Sequence, residues 1–127
     1  MGTAWIIEDD REISYSISLM MKLMGHQSQI FVHPRGPMLM MHRNVTMPDL
    51  IILDINLPEV SGLEVLKFIR SKRRWDHIIV IMNSVDDSPV TVNKAMNLGA
   101  DGYIYKPFTI EDLESEIQQA YKKRERP

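Results

Sequence analysis

Five polar side chains stand where short apolar runs stop: Glu8 and Asp9 after TAWII, Asp54 at the end of LIILD, Ser84 shortly after IIVIM, and Lys106 after GYIY. If those runs are parallel strands of one open sheet, their carboxyl ends share an edge, and such sheets bind ligands in the crevice there. Three carboxylates, a hydroxyl and an ammonium would then converge. Carboxylates packed together repel and call for a cation, and an all-oxygen donor set suits Mg2+ keeping several of its waters. A cation, an ammonium and a hydroxyl together stabilise the equatorial oxygens of a transferring phosphoryl group, with a carboxylate as the nucleophile. Asp54 is the best-placed nucleophile because it ends the most buried run.

Each residue also has a plainer reading. A strand-ending aspartate often only caps a turn, Ser84 alone is a loop hydroxyl, and Tyr103 alone is a half-buried strand aromatic. The coincidence of five positions favours chemistry over turn capping for Asp54. Asp10 directly precedes a helical stripe, so it reads as an N-cap; with the register one residue later, Asp9 and Asp10 would form the metal pair instead. His26, His33, His42 and His77 are scattered with no ligand spacing and read as surface residues. The methionines that crowd residues 20 to 47 read as core filler.

The elements that must position these groups follow from periodicity. Strands are expected at 3–8, 28–32, 50–54, 78–82 and 102–105, the third and fourth apolar on both faces and therefore central in a sheet covered by helices on both sides. Ile13, Ile17, Met20, Met21 and Met24 mark one helical stripe, Leu63, Leu66 and Ile69 a second, and Ile110, Leu113, Ile117 and Ala120 a third. SGLE at 61–64 has the capping-box pattern and TIED at 109–112 an acidic version of it. Pro89 behind Ser88 starts a helix that Gly99 ends, and a short helix is expected near 37–43. Alternating strands and helices make an α/β fold with a parallel sheet.

Taken as a set, IIEDD after the first strand, LIILDINLPEVSG around Asp54, IMNS at the fourth strand and GADGYIYKPF near the end resemble the receiver domains of two-component response regulators. The resemblance runs over essentially the whole chain. It implies a doubly wound, flavodoxin-like three-layer sandwich with five parallel strands in order 2-1-3-4-5 and five helices, spanning 1–122, with 123–127 as a charged tail or the start of a linker. It further implies that Asp54 accepts a phosphoryl group from a sensor histidine kinase or histidine phosphotransfer protein. By the same resemblance, Glu8 and Asp9 hold Mg2+ together with Asp54 and the backbone carbonyl of Asn56, Ser84 is the switch hydroxyl, Tyr103 the switch aromatic, and Lys106 the site lysine in a cis peptide with Pro107. Partner contacts, to an output domain or a second copy, would change through the face of the fourth helix, fifth strand and fifth helix. Side chains of the first helix such as Ser14, Ser18 and Lys22 would select the kinase. Two positions depart from the family pattern: Val85 stands where Ala or Gly is usual, and its bulk is expected to narrow the approach to Asp54, while Asn83 stands where most members are apolar.

Composition sets the outer limits. The 127 residues suit one domain with one sizeable core, and 44% apolar with 25% charged residues is ordinary globular composition. A formal charge of -2 offers no footprint for nucleic acid, and no run reaches the length of a membrane span. The absence of cysteine fits a cytoplasmic protein. Two other function classes remain beside the phosphorylation-controlled switch, which would promote its own modification without a separate substrate. One is a pseudo-receiver that keeps the fold as an interaction module. The other is an aspartate-nucleophile phosphohydrolase, which would want a second acid where Asn56 stands.

Overall fold

The computed structural model describes residues 3–43 and 47–125. Five parallel strands, β1 (Thr3–Ile7), β2 (Gln27–Phe31), β3 (Leu50–Asp54), β4 (Ile79–Ser84) and β5 (Gly102–Tyr105), pair in the order β2-β1-β3-β4-β5, as expected. Five helices connect or follow them: α1 (Arg11–Leu23), α2 (Arg35–His42), α3 (Gly62–Ile69), α4 (Pro89–Asn97) and α5 (Ile110–Glu125). Every residue of β3 and β4 is buried, whereas no residue of β2 at the edge is. The apolar runs are thus central because helices cover both their faces.

Two apolar clusters flank the sheet. Ala4, Ile6, Leu50, Ile52, Ile79, Ile81 and Ile104 face α1 and α5, meeting Ile17, Met21, Leu113 and Ile117. The opposite residues of the same strands, Ile7, Ile51, Leu53, Val80 and Met82, face Met41, Val65, Leu66, Ile69 and Ala95 of α2, α3 and α4. Each such fully buried aliphatic side chain contributes about 1.5–3 kcal/mol of burial energy. Met21 and Met41 are fully buried, and Met20, Met24, Met38, Met40 and Met47 pack against the clusters, so the methionines of this region do fill the core.

Several boundaries differ from the sequence reading. β4 begins one residue later and runs on to Ser84, because Asn83 and Ser84 pair with Ile104 and Tyr105 of β5. α2 starts at Arg35, two residues before the expected start, and Pro37 sits in its first turn, where a missing N–H breaks no helical bond. Of the two capping signals, the acidic one at 109–112 forms the reciprocal pair. Thr109 and Asp112 cap each other reciprocally, Thr109 N donating to Asp112 Oδ2 at 3.0 Å and Asp112 N to Thr109 Oγ1 at 3.1 Å. Ser61 accepts from Leu63 N, with no return bond from Glu64 among the described residues. α5 continues through Glu125, into the segment expected as a charged tail, because Arg124 is anchored: its guanidinium donates to both carboxylate oxygens of Asp101 and to the carbonyl oxygens of Asp76 and Ile78.

Candidate functional site at the carboxyl edge of the sheet

Strand alternation decides which side chains can meet. Ala4 and Ile6 lie on the α1/α5 face, and so does Glu8 two residues on; by the same step Asp54 follows Ile52, Asn83 follows Ile81, and Lys106 follows Ile104. Glu8 and Asp54 are buried, at 1% and 2% exposure, while Asp9 is exposed. Oxygens of Glu8, Asp9 and Asp54 lie within 4.8 Å of one another, the one cluster of three or more acidic or imidazole ligands at metal-binding separation among the described residues.

Lys106 bridges the two buried acids, with Nζ 2.7 Å from Glu8 Oε1 and 3.1 Å from Asp54 Oδ1. The backbone N–H of Asn56 also donates to Asp54 Oδ1 at 3.2 Å. Lys106 and Asn56 N both donate to Asp54 Oδ1, and among the described residues neither donates to Oδ2. Burial, followed by the repulsion of Asp54, pushes the Glu8 carboxyl up to about 7 against the opposing pull of Lys106. For Lys106, burial acts to lower the pKa, but the bonds to Glu8 and Asp54 outweigh it and the ammonium is held above its usual range. A buried acid pair that one lysine leaves incompletely neutralised, with an exposed third carboxylate beside it, fits a hard divalent cation. Asn56 lines one cleft with Asp9, and its carbonyl, the fourth expected ligand, accepts no hydrogen bond among the described residues. Asp10 is occupied elsewhere: its Oδ1 accepts from Glu12 N and Ile13 N as the N-cap of α1.

Ser84 is fully buried at the end of β4, and its Oγ accepts from Asp86 N at 3.0 Å and from Asn56 Nδ2 at 3.5 Å. Tyr103 OH donates to the Asp86 carbonyl at 2.7 Å. The Asp86 carboxylate accepts from Ser88 N and Thr91 Oγ1, which hold it below the usual carboxylate range. Asp86 therefore links Ser84, Tyr103 and the first turn of α4 through three separate groups. Sequence reading missed this link, although the Asp-x-Ser spacing before Pro89 is the signal of an Asx turn. Val85 is 70% exposed and lines a groove with Ile13, Ile17, Met20, Lys106 and Phe108.

The turn that carries Asp54 into α3 closes tightly. Gly62 N donates to Ile55 O at 2.7 Å, and a Cβ at Gly62 would lie 2.0 Å from the Asp54 carbonyl oxygen. The Lys106-Pro107 peptide is cis, as the family resemblance implied.

Residues 4–118 match the family of response regulator receiver domains. The transcriptional regulatory protein CiaR of Streptococcus pneumoniae is 32% identical over 120 residues, covering 93% of this chain and 50% of CiaR. The transcriptional regulatory protein CrdR of Helicobacter pylori is 27% identical over 117 residues, covering 92% of this chain and 54% of CrdR. The chain thus spans about half the length of these curated relatives. The chemotaxis protein CheY4 of Vibrio cholerae superposes with a TM-score of 0.85 at 23% identity, over 94% of this chain and 98% of that one.

Proposed function

The chain belongs to the response regulator receiver family, and from that premise we propose that it is a phosphorylation-controlled switch in which Asp54 takes a phosphoryl group from a sensor histidine kinase or a histidine phosphotransfer protein. The single observation that carries the reading is the asymmetry of the Asp54 carboxylate, with Oδ1 held by Lys106 and Asn56 N and Oδ2 left free. A nucleophile held on one oxygen presents the other in a fixed direction, which lowers the entropic part of the barrier. Asp54 Oδ2 forms the new O–P bond while the bond from phosphorus to the donor breaks, and the donor leaves with that electron pair.

Glu8, Asp9, Asp54 and the Asn56 carbonyl are the residues proposed to hold Mg2+. Bound there, the ion would neutralise the acidic cluster and polarise a phosphoryl oxygen. Lys106 supplies a second positive charge and already lies between the two buried acids.

The Ser84 hydroxyl lies one strand from Asp54 and carries the signal outward. When Oγ turns to donate to a phosphoryl oxygen, it releases the N–H of Asp86, and Tyr103 OH and α4 are tied to that same residue. Charge at Asp54 is thereby converted into a change on the α4, β5 and α5 face. Val90 and Tyr105 are exposed on that face and available to a partner, either an output domain or a second copy. The test is intact-mass spectrometry after incubation with acetyl phosphate and Mg2+: one phosphoryl group is expected on the wild type and none on Asp54→Asn.

A further inference from the structure

Asn83 is fully buried, and neither its Oδ1 nor its Nδ2 has a hydrogen-bond partner among the described residues. An amide left so in a dry interior is unfavourable relative to an apolar side chain of similar shape. Its placement gives it a use. Asn83 pairs in register with Asp54 on one side and with Ile104 on the other. It shares the α1/α5 face with Glu8, Asp54 and Lys106. Lys106 follows β5, yet its Nζ reaches Asp54 at the end of β3, and β4 lies between those strands. The Lys106 and Asp54 side chains therefore meet across β4, together closing about 10 Å over two strand spacings. The β4 residue on that face in the Asp54 row is Asn83.

We propose that Asn83 is a positioning residue for Lys106, its Oδ1 accepting an ammonium N–H once Asp54 carries a phosphoryl group. This rests on the reading of Asp54 as the acceptor. Before transfer, Asp54 Oδ1 is a carboxylate oxygen and binds Lys106 strongly. After transfer, Oδ1 is the carbonyl of an acyl phosphate and accepts far more weakly, while the phosphoryl oxygens draw the ammonium toward themselves. Glu8 keeps one of the three ammonium N–H groups and the phosphoryl oxygens take a second, so the third needs an acceptor in a site shielded from water. A neutral amide oxygen supplies it without cancelling the charge that the phosphoryl group uses.

The test compares two variants of nearly equal shape, both favourable in strands: Asn83→Thr keeps a hydroxyl acceptor, and Asn83→Val has none. Phosphorylation by acetyl phosphate at saturating Mg2+ should be about tenfold slower in Asn83→Val than in wild type, with Asn83→Thr within about threefold of wild type, the scale of one charge-assisted hydrogen bond. The Lys106 15Nζ resonance should move on addition of beryllofluoride in wild type and Asn83→Thr, and by a different amount in Asn83→Val. The Val variant should also melt at a higher temperature, since its two orphaned polar atoms are gone. Equal rates and equal Lys106 shifts in all three proteins would overturn the inference and leave the Asp54 reading intact, as would equal slowing of both variants. Absence of labelling in the wild type itself would overturn the acceptor reading, and this inference with it.

Discussion

The Glu8 carboxyl lies beside Asp54 and Lys106 with its pKa pushed up to about 7 from an ordinary 4.5. Between those values the folded protein binds a proton that the unfolded chain has lost, so this residue makes stability fall as pH rises from about 4.5 to about 7. A cation at the cluster competes with the same proton. Mg2+ affinity is therefore expected to be about tenfold weaker at pH 6 than at pH 8, with proton release on binding at the lower pH. Calorimetric titration in buffers of different ionisation enthalpy measures both quantities. Affinity independent of pH over that interval would show that Glu8 is already ionised without the metal. Lys106 also acts at this scale. Lys106→Met leaves two buried acids without their cation and is expected to destabilise the fold by about 3 kcal/mol at pH 8, measured by urea unfolding, with a smaller loss at pH 5, where Glu8 is protonated.

Between β3 and α3 the backbone has no room for a side chain at Gly62. Gly62→Ala must push the Asp54 carbonyl or the α3 N-terminus aside, at an expected loss of about 3 kcal/mol in chemical denaturation. It should also slow phosphorylation, because the turn that moves carries Asp54, the proposed acceptor. A variant that kept both stability and labelling rate would show that the turn opens without disturbing Asp54. The link from Ser84 through Asp86 to Tyr103 belongs to this scale as well. Beryllofluoride should shift the amide resonances of Asp86, Thr91 and Tyr103 together, and Ser84→Ala should weaken that coupled response. Changes confined to residues around Glu8 and Asn56 would argue that the link carries no signal.

Across the whole molecule, a second polar cluster fastens the opposite end of the sheet. Asp101 receives Arg70 from the end of α3, Arg124 from the last turn of α5 and the backbone N–H of Val80. Asp101→Ala leaves the mostly buried Arg70 without its carboxylate and is expected to cost about 3 kcal/mol, read as a lower urea midpoint, with the acceptor site unaffected. Much of the architecture was legible because both signals are local. Four apolar runs and the weaker SQIFV marked the strands, and the residues just past the four marked the edge that carries Glu8, Asp9, Asp54, Ser84 and Lys106. What was not legible depends on direction rather than position. The sequence could not show that Val85 lines a groove or that Arg124 folds back onto Asp101, since each follows from how neighbouring elements pack; the local Asp86 turn was signalled by its Asp-x-Ser spacing, but not its reach to Tyr103 on β5. The central claim, that Asp54 is the phosphoacceptor, is tested most directly by peptide-mapping mass spectrometry of the chain treated with acetyl phosphate and Mg2+. The account predicts one phosphoryl group, on Asp54, lost when Mg2+ is chelated beforehand and absent in Asp54→Asn. A phosphoryl group on another residue, or undiminished labelling of Asp54→Asn, would contradict it.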